Sequence, residues 1–204
     1  GVEMHYAVES ATDLILQIEV PSFADQRVCH ETINICDTLY STKVPAEEGV
    51  GQRRLLQVDK DFECSYITHV EVDRPALDIS LLPTVLPHQL PSHVIRYLMP
   101  SRYCPSDELQ NFVAAEFGSS DGGARIAEMR DWIFEGFKYV QGSSNAQTTA
   151  LDTFVQRQGV CRDYAHVMIA LARASAIPAR FASVYAPYVT PQDFHAVAEV
   201  YLDG

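Results

Sequence analysis

No stretch of the 204-residue chain approaches the roughly 18 apolar residues a membrane helix needs, and no basic segment followed by an apolar one opens it. The expectation is a protein with no membrane partner and no export. Basic residues are scarce. Fifteen Lys and Arg stand against 27 Asp and Glu, a formal net charge of -12 with no Lys/Arg run, and such a field repels phosphate backbones. Nucleic acid is therefore not expected as a partner, and the acidity reads as solvated surface that aids solubility. There is no CxxC pair. The five cysteines (Cys29, Cys36, Cys64, Cys104, Cys161) are an odd number, which argues against a disulfide framework and against a zinc knuckle. Cys29 and Cys36, on one putative strand, are at best a weak disulfide candidate. A reducing cytoplasm is the expected compartment.

What the chain has is apolar content, 47%, enough to bury a sizeable core. Its patterning changes along the length. Leu14, Leu16, Ile18 and Val20 alternate with Ile15, Gln17 and Glu19, and Cys64, Tyr66, Thr68, Val70 and Val72 alternate with Glu63 to Glu71. That is the period of strands with one buried face. Asp59-Lys60-Asp61 separates the second run from Leu55–Val58 and predicts a hairpin. Residues 1–100 therefore read as an N-terminal antiparallel β-sandwich-like domain, and Pro83, Pro87, Pro91 and Pro100 as a connecting segment.

In residues 101–204 the period becomes helical. Helices are predicted over 107–117 and 124–138, and Thr149 with Asp152 resembles a capping box for a short third one. From Cys161 to Ala176 the sequence is apolar nearly all round, which predicts a buried central helix. Two strands follow, about 180–186 and 194–202. In the second, His195, Val197 and Glu199 face away from Ala196, Ala198 and Val200.

Cys161 follows Gly159-Val160 at the predicted start of that buried helix, where free N–H groups and the positive end of the macrodipole favour a thiolate. Thiols so placed beside an imidazolium are nucleophiles at neutral pH, and the same N–H groups suit an oxyanion. His195 is the candidate base, brought to Cys161 only if its strand packs on the helix. A zinc site from Cys161, His166 and His195 is disfavoured, because five residues of helix turn Cys161 and His166 about 140° apart. No metal and no cofactor are expected. Asp163 reads as a helix-capping carboxylate, Arg162 as facing solvent or an acidic neighbour, His166 as a packed or supporting histidine, and Trp132, Phe137 and Tyr139 as core aromatics rather than the lining of an acyl-binding groove. His5, His30, His69, His88 and His93 show no ligand spacing.

The runs Gly159-Val160-Cys161-Arg162-Asp163-Tyr164-Ala165-His166, Arg173 to Arg180 and Asp193-Phe194-His195-Ala196 resemble the core of bacterial transglutaminase-like proteins. The β-rich first part, with Tyr97 to Tyr103, is similar to the domain that often precedes that core. The resemblance implies an α+β chain with a papain-like second domain, and a Cys-His-Asp triad that transfers an acyl group from a peptide or glutamine-type amide. The family's triad Asp lies on the strand after the histidine strand, whereas the sequence stops at Gly204. The third member is thus expected to be absent, the core truncated at its C-terminus, and activity reduced, since a triad carboxylate fixes the imidazole tautomer. Glu199, roughly 13 Å along the strand from His195, is too far to substitute. A cysteine peptidase or amidase acting on a peptide or protein substrate is the leading expectation. A protein-crosslinking transglutaminase and a non-catalytic binding module that keeps the fold are the alternatives. Oligomeric state does not follow from the sequence.

Overall fold

The alternating segments of the first part form six strands in a computed structural model of the chain: β1 (Val2–Tyr6), β2 (Thr12–Leu16), β3 (Gln26–Ile35), β4 (Tyr40–Pro45), β5 (Gln52–Val58) and β6 (Phe62–Val72). Residues 1–190 and 192–203 are described; Pro191 and the terminal Gly204 lie outside them. The strands make two antiparallel three-stranded sheets, ordered β1-β6-β3 and β2-β5-β4. Met4, Phe62 and Cys64 from the first sheet and Leu56 and Val58 from the second share one buried core.

The hairpin expected around Asp59-Lys60-Asp61 does not form. β5 pairs with β2 and β4, and β6 with β1 and β3, so the short turn carries the chain from one sheet to the other. The reason is packing. Leu56 and Val58 before the turn and Phe62 and Cys64 after it all face inward, and two sheets stacked face to face cover both sets at once.

The second part folds around a helix. It contains α1 (Gln110–Glu116), α2 (Gly122–Gly136), β7 (Lys138–Tyr139), α3 (Ala150–Gln156), β8 (Gln158–Gly159), α4 (Cys161–Ala174), β9 (Ala179–Val184) and β10 (His195–Val200). The predicted 107–117 helix is a 3-10 turn, Ser106–Leu109, running into α1. Within α4, Val167, Ala170, Leu171 and Ala172 have no exposed surface, and burying a Val or Leu side chain contributes about 2 kcal/mol. Ala179 of β9 joins that core, and Ala198 and Val200 of β10 pack against it. The antiparallel β9–β10 pair sets His195 opposite Val184, and Glu199 opposite Arg180.

Contacts divide the chain between Ala76 and Leu77, ahead of the boundary expected near residue 100. The proline-rich segment belongs with the second unit because the glycine pair at the start of α2 admits it. The Gly123 N–H donates to the Leu82 carbonyl at 2.8 Å, and a Cβ on Gly123 would lie 1.5 Å from the Ile79 carbonyl oxygen. Gly122 adds a positive φ of 54° and donates to Thr84 Oγ1.

Candidate active site

Three segments build the site: the strand pair β7–β8, the start of α4 and the approach to β10. α3 opens with the predicted capping box, Thr149 accepting from the Asp152 N–H and Asp152 from the Thr149 N–H. It ends at Gln156, and its C-cap Arg157 has a left-handed φ of 55°. The Arg157 guanidinium stacks 4.2 Å from the Trp132 ring centroid and 4.8 Å from that of Phe154, which holds the turn. β8 then pairs in parallel with β7, setting Tyr139 beside Gly159, two residues before the thiol.

Cys161 is the first residue of α4 and is half-buried. The Val160 carbonyl accepts from the N–H groups of Asp163 and Tyr164, so those of Cys161 and Arg162 have no acceptor within the helix, and that of Cys161 donates to the Tyr139 phenol oxygen. Asp163, 1% exposed, closes the turn from below. Its carboxylate accepts from the Val160 N–H at 2.8 Å, from the Ser144 hydroxyl and from the Arg162 guanidinium, which also donates to Ser144 Oγ. A Cβ on Gly159 would lie 2.7 Å from the Asp163 Cβ, so only glycine lets this carboxyl sit there. The capping role expected of Asp163 is what the structure shows. Arg162 is a partner of that carboxylate, with its side chain 40% exposed.

Tyr139 is the residue the sequence reading misplaced. Read as core, it is 57% exposed, with its ring edge-on to Tyr164 at 6.0 Å, while Phe137 is buried as expected. Burial of its hydroxyl end, then the charges of Cys161 and Asp193, push the Tyr139 phenol above its usual value, and the Cys161 N–H, donating to the phenol oxygen, opposes them. The phenol therefore lies beside Cys161 and within electrostatic reach of Asp193, two residues before His195. The helical spacing that suggested core stops at Gly136, where α2 ends. Past that point the chain is extended, so the helical spacing from Trp132 no longer sets the surroundings of Tyr139.

His195 is half-buried at the first position of β10, and β10 packs on α4 as the sequence argument required. Among the described residues no hydrogen bond joins its ring to the Cys161 thiol. Glu199 is engaged by Arg180, its Oε2 2.7 Å from the guanidinium. His166 is packed, stacked on Tyr103 at 5.3 Å and tilted against Phe181. Burial holds its imidazole below the ordinary histidine range, Asp163 opposing and Arg162 adding to the effect. Among the described residues no group of three or more His, Cys, Asp or Glu is placed to hold a metal ion.

Residues 111–204 match the model of the transglutaminase-like superfamily core. The crystal structure of a putative cysteine protease from Cytophaga hutchinsonii superposes with a TM-score of 0.88 at 33% identity, covering 98% of this chain and 71% of that one. The chain belongs to the transglutaminase-like superfamily. An uncharacterized protein of Mycobacterium leprae (strain TN) is 33% identical over 54 residues, 26% of this chain and 19% of that protein, so the match spans about a fifth of the curated relative. The periplasmic domain of TgpA from Pseudomonas aeruginosa, bound to ethylmercury, has a TM-score of 0.47 at 19% identity, covering 99% of this chain and 68% of that one. The α+β architecture, β-rich first and transglutaminase-like second, is shared with the Cytophaga hutchinsonii structure.

Proposed function

We propose that the chain is a cysteine peptidase or amidase in which the Cys161 thiolate attacks the carbonyl of a peptide or glutamine-type amide. The observation that supports this best is the thiol at the open N-terminus of a buried 14-residue helix, in a member of this superfamily. His195 takes the thiol proton and returns it to the departing amine, and water then releases the acyl group. The Cys161 N–H, which donates to the Tyr139 phenol oxygen before substrate arrives, and the Tyr139 hydroxyl, hydrogen-bonded with the Cys161 side chain, turn to hold the oxyanion of the tetrahedral intermediate. An amine in place of water would make the same site a transglutaminase. With the Tyr139 side chain 57% exposed, the site is open to water, at about 55 M the commoner nucleophile, which favours hydrolysis.

The test is the rate of iodoacetamide alkylation at each cysteine, mapped by mass spectrometry from pH 6 to 9, in the parent and in His195→Ala. Cys161 is expected to react roughly tenfold faster than the exposed Cys29 at neutral pH, with that advantage lost in the variant. Equal rates at Cys161 and Cys29 would remove the thiolate pair from the reading. Tyr139→Phe keeps the ring against Tyr164 and deletes the hydroxyl. Its kcat on a peptide amide is expected to fall on the order of 10²-fold with KM little changed, and an unchanged kcat would take Tyr139 out of the oxyanion site.

A further inference from the structure

The first unit holds three thiols that the chemistry above does not use, Cys29, Cys36 and Cys64. Ile35 lies opposite Cys64 across the β3–β6 ladder, and Cys36 continues the register, its N–H donating to the Glu63 carbonyl at 2.9 Å. The Glu63 N–H in turn donates to Cys36 Sγ at 3.4 Å, which turns the sulfur back over β6, one residue from Cys64. Both side chains enter the same apolar core, with Cys64 4% exposed and Cys36 half-buried beside it. Sheet spacing puts their Cα atoms roughly 6 Å apart, inside the range of about 4.4 to 6.8 Å that a disulfide spans. Cys29, the other candidate partner for Cys36, sits seven residues back along β3, roughly 20 Å away, and is exposed.

We propose that Cys36 and Cys64 are a redox pair that closes to an intramolecular disulfide on exchange with a low-molecular-weight disulfide such as oxidised glutathione. The Cys36 thiolate, the more accessible of the two, attacks one glutathione sulfur, breaking that S–S bond and releasing a glutathione thiolate. Cys64, deprotonated in turn, attacks Cys36 Sγ and expels the second glutathione thiolate. The two protein thiols lose two electrons and two protons; one glutathione disulfide gains them as two thiols. Burial raises the Cys64 thiol above its ordinary value, Arg54 opposing and Cys36 and Glu19 adding to it, so the second step speeds as pH rises. The closed bond ties the end of β3 to the central strand β6 and closes the loop through β4 and β5, restraining the unfolded chain.

The experiment incubates the full chain at low micromolar concentration with oxidised glutathione, blocks remaining thiols and maps peptides without reduction, with cleavage after Glu31 separating Cys29 from Cys36. A Cys36–Cys64 crosslink two hydrogens lighter than the free pair, together with a melting midpoint higher than in the reduced protein, is expected. Cys36→Ser should lose both the crosslink and the shift. A stable glutathione adduct on Cys36 with Cys64 still free, or Cys36 joined to Cys29, would overturn the proposal. So would a crosslink that leaves the midpoint unchanged or lower, since that staple would fit the unfolded chain as well as the fold. Both cysteines belong to the first unit and Cys161 to the second, so amide-cleaving activity is the separate readout: its absence leaves this result standing.

Discussion

Cys161→Ala is expected to reduce amide hydrolysis to background, a fall in kcat/KM on the order of 10⁶-fold, the scale on which removing a covalent nucleophile acts when its partners work as a unit. No other group at the open end of α4 replaces it: the N–H donors there bind charge but do not attack, and the Tyr139 phenol, held above its usual value, stays protonated at neutral pH. Stability separates this loss from misfolding. Cys161 is half-buried at a helix terminus and lies outside the buried core cluster, so trading its sulfhydryl for a methyl is worth within about 1 kcal/mol. The comparison is turnover of a peptide-amide substrate beside thermal unfolding of parent and variant. A variant that unfolds at the parent's temperature yet retains a tenth of its turnover would move the chemistry away from this thiol.

The Cys161 helix was legible because its signals were local: a Gly-Val-Cys run, an apolar sequence all round, and an acid three positions into the helix. Each states something about one backbone segment, and α4 begins at Cys161 with Asp163 in its cap. The alternation around Leu14 and Cys64 was equally plain, but it identifies which face of a strand is buried and not which strand lies beside it. Hence the turn at residues 59–61 read as a hairpin and is a crossing between sheets. Tyr139 was missed through phase. It lies within a helical spacing of Trp132 yet past the end of α2, and the parallel pairing of β7 with β8 that turns it to the thiol is a contact between distant residues. The proline-rich segment read as linker from its own composition. The contrary signal lay elsewhere in the chain, in Gly122-Gly123, where a pair of glycines at a helix start marks close approach by another backbone.

Asp163→Ala is expected to have the largest effect on stability. The carboxylate is the acceptor for the Val160 N–H, the Ser144 hydroxyl and the Arg162 guanidinium, and the turn it closes carries Cys161. Alanine leaves a buried N–H without its partner and a guanidinium without its anion. Breaking a buried pair by removing one member costs about 3 kcal/mol, the low end here because 40% of the Arg162 side chain is open to water. For a domain of this size that is a fall in melting midpoint of about 10 °C. The same change frees the loop at Ser144 and Asn145, both held by Arg162, so the Cys161 N–H loses its fixed direction and kcat should fall even below the unfolding temperature. Asp163→Asn separates the two contributions: its amide oxygen still accepts from the Val160 N–H while the charge opposite Arg162 is gone. If hydrogen bonding to the turn matters most, Asn restores most of the midpoint and of the kcat. If the ion pair does, Asn resembles Ala. An alanine variant with parent-like melting and parent-like kcat would mean that water fills the carboxylate's place, and that the helix start is held by the Gly159 strand pairing alone.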